Sequence, residues 1–319
     1  MDPTLSYWKS HGQSFFSRVK TWINLLEPVN LFSSKDEIEK AYSLLGNKEE
    51  SEKDAAAVNL AISSVHADTG TVLPLLLRPP AYLTILGPMA FVSFLPHMAV
   101  KPALFWQFHL QSYNAGFTFA NRNSSAELEM RNQDMKTKFL KHLLMFTGTV
   151  SLTTVAGALP QIIINRLQIK DTVLLAVSRN LLPVPLSAVL AAFSVYTIRN
   201  EERETGVRVF DSNGRLVGVS QAAGKKAVRE TALSRGALFG TSFTVPHLLL
   251  LLLRRTSFFQ GNSFLFAPVR NMSFVLVLSL MIPVSFSLFP QLGTISRDRL
   301  EKELQAAAVD GQLFYHRGL

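Results

Sequence analysis

Five long apolar stretches follow a mostly polar first quarter of the chain. They cover residues 83–100, 143–164, 173–198, 232–253 and 274–292. A helix needs about 20 apolar residues to cross the hydrocarbon core of a bilayer. These stretches carry Ser, Thr and Gly in place of most charged residues, as membrane helices do. The pattern predicts five transmembrane helices, of which the second and third are antiparallel neighbours because their connection is short.

The region before the first stretch, residues 1–82, is predicted to be helical and to lie outside the bilayer. Ser34 stands three residues before Glu37, which is the spacing of a helix-capping box. Residues 13–26 form an amphipathic helix with Arg18 and Lys20 opposite its apolar face. That face consists of Phe15, Phe16, Val19, Trp22, Ile23 and Leu26.

Two interpretations of this amphipathic helix are open. It has the composition of a mitochondrial presequence, and it also fits a permanent helix that lies on a membrane or on the rest of the fold. The absence of a cleavage-like boundary after it favours the permanent helix.

The connection after the third stretch has a different character. Short runs of β-forming residues in 207–219 flank Asn213 and Gly214, and this pair is typical of a two-residue hairpin turn. The sequence therefore predicts an all-α multi-pass membrane protein with one small β-hairpin outside the bilayer. Its parts are an N-terminal region (1–82), a transmembrane region (83–293) and a C-terminal tail (294–319).

Composition agrees with a membrane protein and narrows its partners. Charged residues make up 17% of the 319 residues, against about 25% in soluble domains. The formal charge is +9, and the basic residues are interleaved with acidic residues along the chain. This pattern indicates anionic lipid headgroups as partners and not nucleic acid. There is no cysteine, so disulfides and thiolate sites are excluded.

No pattern indicates a catalytic centre. None of the seven histidines forms a pair at metal-ligand spacing on one helix, and no Gly-x-Ser-x-Gly motif is present. Residues 218–227 differ from a phosphate-binding loop because Gly218 and Gly224 are one residue too far apart. We therefore expect neither an enzyme nor a bound metal or cofactor.

One polar pattern does indicate a candidate site. If residues 106–123 are helical, five uncharged polar side chains fall within an arc of roughly 80°. They are Gln107, Gln111, Asn114, Thr118 and Asn121. Such a stripe can line a solute path or join helices by hydrogen bonds. Arg235, at the edge of the fourth stretch, can attract a carboxylate or extend to the membrane surface.

Several motifs together resemble one family, the sideroflexins of the mitochondrial inner membrane. The sequence VHADTGT (65–71) resembles that family's His-Pro-Asp-Thr-Gly-Glu motif, and residues 106–123 resemble its Trp-Gln to Asn-Arg-Asn stretch. Further matches in family order are FDSNGRLVGVSQAAGKKAV, LSR, LFPQ, LEKELQ and the terminal FYHRGL, so the resemblance runs from Glu27 to Leu319. It implies about five transmembrane helices and import of small amino acids, serine above all. Some members are tied to respiratory-chain assembly and to iron homeostasis.

The first motif retains His66, Asp68, Thr69 and Gly70. These residues also suit an ordinary turn, because Asp and Gly are common turn formers. Whether they act in function or only in the turn stays open at the level of sequence.

Departures from the family pattern put serine transport in doubt, and the chain resembles a divergent branch of the family. The family has other residues at Ala67 and Thr71, asparagines at Leu110 and Thr118, and two asparagines and a proline at Ala191, Ser194 and Tyr196. A zwitterion in a membrane needs hydrogen-bonding groups in place of its water. Each such bond to a charged group is worth about 1.5–3 kcal/mol. We expect a carrier for a small amino acid or related metabolite other than serine. The alternative is a non-transporting factor that assists assembly of respiratory complex I and is linked to iron homeostasis.

Overall fold

The computed structural model of the chain begins with a group of short helices. It describes residues 3–12, 14–45, 54–93, 95, 97, 99–124, 135–167, 175, 178, 182–307 and 311–319. The first helices are α1 (Pro3–His11), α2 (Phe15–Leu25), α3 (Lys35–Leu44) and α4 (Ala55–Ser64). The predicted capping box is confirmed, since Ser34 Oγ accepts from the Glu37 backbone and Glu37 accepts from the Ser34 backbone.

Helix α2 lies on the rest of the fold, but its buried side coincides only in part with the predicted apolar face. Trp22 is buried with its ring centroid 5.0 Å from that of Phe286, whereas Phe16 is 81% exposed. Arg18, predicted on the polar face, is buried, and its Nε donates to the Ser287 carbonyl at 2.8 Å. The last carbonyls of a helix have no partner within the helix, and a guanidinium supplies one.

A second group of helices contains the apolar stretches. These helices are α5 (Ala81–Ser93), α6 (Val100–Ala120), α7 (Met135–Gly157), α8 (Leu159–Leu167), α9 (Pro183–Ile198), α10 (Asn200–Thr205), α11 (Gln221–Leu253), α12 (Ser257–Gly261), α13 (Phe266–Ser287) and α14 (Lys302–Ala307). Within the described ranges, three helical segments are long and apolar enough to cross a bilayer: Phe139–Gly157 of α7, α11 and α13.

The first predicted span, 83–100, is not one continuous helix. Helix α5 ends at Ser93 and α6 begins at Val100, while residues 94, 96 and 98 lie outside the described residues. At 13 residues, α5 is about 20 Å long, shorter than a bilayer core. In the sequence, Pro96 stands between the two helices, and proline restricts the residue before it and cannot donate a backbone hydrogen bond.

The second predicted span, 143–164, is divided in the structure. Helix α7 begins earlier, at Met135, and ends at Gly157, and α8 starts again at Leu159. Pro160 explains this break, because it has no N–H to donate to the preceding turn.

The third predicted span, 173–198, is described as a helix only from Pro183 to Ile198, and seven of its first nine residues lie outside the described part. Helices α7 and α9 are antiparallel neighbours. Thr149 donates to Thr197 at 3.0 Å, and His142 lies 2.7 Å from Glu201, in opposite chain order.

The fourth and fifth predicted spans correspond to helices with shifted ends. Helix α11 begins eleven residues before position 232, at Gln221, because Ser220 caps it by accepting from the Ala223 backbone. Helix α13 runs from Phe266 to Ser287, where the prediction was 274–292.

The predicted hairpin is present, but its turn is longer than predicted. Strands β1 (Val207–Phe210) and β2 (Leu216–Ser220) pair antiparallel. Five residues, 211–215, connect the strands and not two, and Asp211 N donates to the Arg215 carbonyl at 2.9 Å across the turn. Gly214 has a φ of +75°, a conformation that glycine adopts without strain.

The C-terminal tail, for which no strand was predicted, completes a sheet with this hairpin. Among the described residues, β3 (Leu292–Ser296) and β4 (Gln312–His316) add to give an antiparallel sheet in the order β2-β1-β4-β3. The largest hydrophobic core connects the N-terminal helices, the apolar helices and the C-terminal end. Its members include Trp8, Trp22, Tyr82, Phe117, Phe286 and Leu319.

Candidate functional site

A cavity of about 300 Å³ lies among the apolar helices. Helices α6, α9, α11 and α13 contribute to its wall, together with the break between α7 and α8. On α6 it extends from Ala103 to Thr118, a length of about 22 Å at 1.5 Å per residue. This volume is at the lower end of the range for small-molecule sites.

Most of the predicted polar stripe lines this cavity. Gln107, Gln111, Asn114 and Thr118 all contribute to its wall. Gln111 Nε2 donates to Gln107 Oε1 at 3.3 Å, and the Tyr82 hydroxyl donates to Asn114 Oδ1 at 2.9 Å. Side-chain amides combine donors with acceptors and carry no charge. The stripe therefore lines the cavity and also bonds α6 to α5.

Asn121, the last residue of the predicted stripe, lies elsewhere. Helix α6 ends at Ala120, and the Asn121 Nδ2 donates to the carbonyls of Leu77 and Phe117, both at 2.9 Å. These bonds satisfy carbonyl groups at the helix end, so the geometry of Asn121 is that of a helix cap.

Arg235 of α11 lines the same cavity and is 3% exposed. Its guanidinium carbon lies 4.9 Å from the ring centroid of Tyr82, 5.4 Å from that of Phe117 and 4.5 Å from that of Phe286. Aromatic faces attract a cation, but these contacts leave its N–H groups unused. In the described part of the chain, none of the three guanidinium nitrogens has a hydrogen-bond partner.

The charge of the cavity wall is positive. The described residues that line it include Arg235 and Arg270 and no carboxylate. Buried charges in proteins are normally paired and hydrogen-bonded. The wall therefore offers an anionic group of a ligand both charge neutralisation and hydrogen-bond donors.

The residues of the 65–71 motif form a turn outside this cavity. His66 Nε2 lies 2.7 Å from the Arg122 carbonyl, and His66 Nδ1 accepts from the backbone N–H groups of Asp68 and Thr69. This pattern requires the neutral ring with its proton on Nε2. Burial lowers the pKa of His66 below its ordinary value.

The same turn joins the region after α6. Asp68 Oδ2 accepts from the Ser124 backbone at 2.8 Å, and Gly70 has a φ of +68°. Together with the bond from His66 to Arg122, this contact attaches the motif to the C-terminal end of the polar-stripe helix.

A buried charged network, which the sequence analysis missed, lies at the ends of three helices. Arg199 binds both carboxylate oxygens of Glu202 at 2.6 Å and donates to Thr231 and to the Arg317 carbonyl. Asn123 donates to Glu202 at 2.9 Å. The one available signal was an arginine and a glutamate three residues apart directly after an apolar stretch, the spacing of a helical ion pair.

Four of the seven positions that depart from the family pattern line the cavity. They are Leu110, Thr118, Ala191 and Ser194. Ala67 and Thr71 belong to the turn outside the cavity, and Tyr196 is 43% exposed with its ring under the Arg203 guanidinium. A ligand in this cavity would therefore contact some of the departures but not all of them.

No group of three or more metal-binding side chains lies together in the described ranges. Elsewhere, His142 and Glu201 form a partly buried pair with 2.7 Å between Nε2 and Oε2. A histidine with one carboxylate is too small a set for a structural metal site.

Comparison with known proteins assigns the chain to a family. The family model described as Sideroflexins matches residues 2–319. The chain belongs to the sideroflexin family. Sideroflexin-4 of Danio rerio is 48% identical to this sideroflexin over 323 residues, with 100% of each chain covered. Sideroflexin-4 of Homo sapiens is 33% identical over 326 residues, which cover 100% of this chain and 93% of the human one.

Sideroflexin-5 of Homo sapiens is more distant, with 27% identity over 314 residues that cover 96% of this chain and 90% of the human one. The higher identity to Sideroflexin-4 agrees with the departures from the general family motifs. No solved structure matches this sideroflexin.

Membership supports a mitochondrial, transporter-like role at the level of the family. Sideroflexins are carrier-like proteins rather than enzymes. The family and the apolar helices together indicate that this sideroflexin is a membrane protein.

Proposed function

We propose that this sideroflexin carries a small amino acid, or a related metabolite, other than serine, across the mitochondrial inner membrane through the cavity. The observation that carries the proposal is Arg235. Its guanidinium is buried, borders the cavity and has no hydrogen-bond partner among the described residues. An unpaired buried charge is costly, and the carboxylate of a ligand would pair with it.

The rest of the wall suits the other end of an amino acid. The side-chain oxygens of Gln107, Gln111 and Thr118 can accept hydrogen bonds from an ammonium group. Such bonds replace the water that a zwitterion loses on entering a low-dielectric site. Transport then requires only alternating access to a bound solute, with no covalent step.

The specificity is inferred from the apolar residues of the wall. Leu110 and Ala191 line the cavity at positions where the family resemblance implies asparagine. Each lost hydrogen bond to a charged ligand group lowers affinity by about 1.5–3 kcal/mol. These two positions favour a ligand that presents fewer polar groups to this side of the wall than serine does.

Uptake into liposomes tests the proposal. Purified protein is reconstituted, and uptake of labelled serine, alanine and glycine is measured against concentration. We expect saturable uptake of alanine or glycine, and a decrease of about tenfold or more in Asn114→Leu and Arg235→Gln, because each loses bonds to the ligand. Asn213→Leu, at an exposed position of the hairpin turn, is the matched control and should transport normally.

A gain of function gives a second measurement. Leu110→Asn adds an amide to the cavity wall and should raise serine uptake relative to alanine uptake. Saturable uptake that is identical in wild type, Asn114→Leu and Arg235→Gln would contradict the proposed path.

The alternative function is a non-transporting factor for the assembly of respiratory complex I. The apolar side chains of Leu110 and Ala191 in the cavity favour it. A protein that had lost transport would no longer need polar groups at these positions. An absence of saturable uptake, together with loss of complex I when the protein is deleted, would favour this alternative over the carrier.

A further inference from the structure

Three buried aromatic rings surround the Arg235 guanidinium. Tyr82, Phe117 and Phe286 are each at most 1% exposed, and all three rings contact the Arg235 guanidinium. A solute that left Arg235 on the side of these rings would have to displace them.

A second buried arginine contacts the same cluster. Arg317 is 1% exposed, and its Nη2 donates to the Phe286 carbonyl at 2.9 Å. Two of its three guanidinium nitrogens, Nε and Nη1, have no hydrogen-bond partner in the described residues. Burial lowers the pKa of Arg317 to about 9; the charge of Glu230 opposes this decrease, and the positive charges of Arg199 and Arg235 add to it.

The last three residues, Arg317–Leu319, are called here the C-terminal latch. They join the ends of three helices that line the cavity. Leu319 N donates to the Asn121 carbonyl at 3.1 Å, after the end of α6. Arg199, after the end of α9, donates to the Arg317 carbonyl at 2.6 Å.

The third helix is α13, which carries Phe286. After its end, the Gln291 carbonyl accepts from the Arg317 backbone at 2.9 Å. Gly318 makes this close fit possible, because it has a φ of +72° and any Cβ there would lie 2.9 Å from Arg199 Nη2.

The hydrogen bonds described above hold the latch, and Leu319 also packs in the largest hydrophobic core. Displacement of the latch would free the helix ends that it joins. Displacement would also leave Phe286 without the bond from Arg317 that holds its backbone.

We propose that the C-terminal latch is the gate on the Arg235 side of the cavity, and that Arg317 binds the ligand's carboxylate after Arg235 during passage. This inference rests on the proposed carrier function. Arg235 is thus the binding group in the closed state and Arg317 the next one on the path. Arg235 contacts the ring of Phe286 and Arg317 contacts its carbonyl, so Phe286 separates the two positions until the gate opens.

Cross-linking tests the gate, because the chain has no natural cysteine. The pair Asn121→Cys and Leu319→Cys joins two residues whose backbones are hydrogen-bonded, and a disulfide requires such a close approach of two chain segments. We expect oxidation to lower uptake of labelled alanine or glycine by more than about tenfold and reductant to restore it. Binding of the same amino acid, measured by equilibrium dialysis of the oxidised protein, should persist because the cavity is unchanged.

A matched pair controls for the disulfide itself. Thr294→Cys and Phe314→Cys face each other across β3 and β4 and do not involve the latch, so oxidation there should leave uptake unchanged. Arg317→Gln should lower uptake about tenfold with binding retained, and Arg317→Lys should recover part of the rate. A merely structural arginine would instead change binding and uptake together.

The outcomes separate this inference from the proposed function. If the wild type shows saturable uptake and the oxidised Asn121–Leu319 pair transports as fast as the reduced one, the gate is refuted and the carrier stands. If neither the wild type nor the reduced pair shows saturable uptake, the carrier function fails and the gate fails with it.

Discussion

Replacement of Glu202 by glutamine is the sharpest test of the buried charged network. Arg199 is 0% exposed and Glu202 is 2% exposed, and the two share two hydrogen bonds of 2.6 Å. Glu202→Gln keeps the size of the side chain but removes its charge and one of its two acceptor oxygens. Arg199 then stays buried as a cation, with Thr231 and the Arg317 carbonyl as its remaining neutral acceptors.

The expected decrease in the free energy of unfolding follows from the loss of this ion pair. Removing one partner of a buried ion pair costs about 3–5 kcal/mol, since the remaining charge is desolvated and unpaired. For 319 residues, the unfolding entropy is about 0.7 kcal/mol/K, so each 1 kcal/mol lowers the unfolding midpoint by about 1.5 °C. We therefore expect Glu202→Gln to lower the thermal unfolding midpoint of the detergent-solubilised protein by about 4–8 °C.

Glu204→Gln is the matched control, because Glu204 lies two residues away on the same short helix. Its carboxylate is 3.0 Å from Lys141 Nζ, but both side chains are more than half exposed. Exposed pairs of this kind contribute about 0–1 kcal/mol, so the control should shift the midpoint little. The unfolding midpoints are measured by intrinsic fluorescence on heating. Equal decreases in the two variants would refute the reasoning that a buried Arg199 needs a charged partner.

Three further predictions concern the turn motif and the packing. Because burial lowers the pKa of His66, the folded state binds fewer protons than the unfolded state below the usual value of about 6.5. The free energy of unfolding should therefore fall as the pH decreases below that value. His66→Gln should be less stable than the wild type at neutral pH, and its stability should depend less on pH. A variant of the exposed His11 should show neither change. Gly224→Ala should strongly lower the unfolding midpoint, since its Cβ would overlap the backbone of α10, whereas Gly148→Ala has open space there and should be neutral or stabilising by about 1 kcal/mol. Trp22→Ala should cost about 3–5 kcal/mol if α2 is a permanent part of the fold, and an unchanged midpoint would contradict that.

Local signals explain what sequence analysis predicted well. The capping box at Ser34 depends only on residues three positions apart, and the hairpin depends on two β-forming runs around a turn. The polar stripe from Gln107 to Thr118 follows from helical geometry alone, and the structure places it on one cavity wall.

The ends of the helices were predicted less well, because they depend on backbone partners. Pro160 ends α7 at Gly157, whereas Pro88 lies inside α5 without ending it. Proline removes one donor in both places. Its effect depends on whether surrounding groups compensate, and that is a tertiary property.

By itself, the sequence determined the apolar helices, the amide stripe and the family, because each is encoded by neighbouring or regularly spaced residues. Only the tertiary structure decided that Arg235 lies among three rings, that Arg199 bonds the Arg317 carbonyl, and that the tail forms β3 and β4. Arg235 and Tyr82 are about 150 positions apart, and Arg199 and Arg317 are 118 positions apart. Whether a buried charge is paired or left free for a ligand depends on which distant groups surround it, and local spacing along the chain carries no record of them.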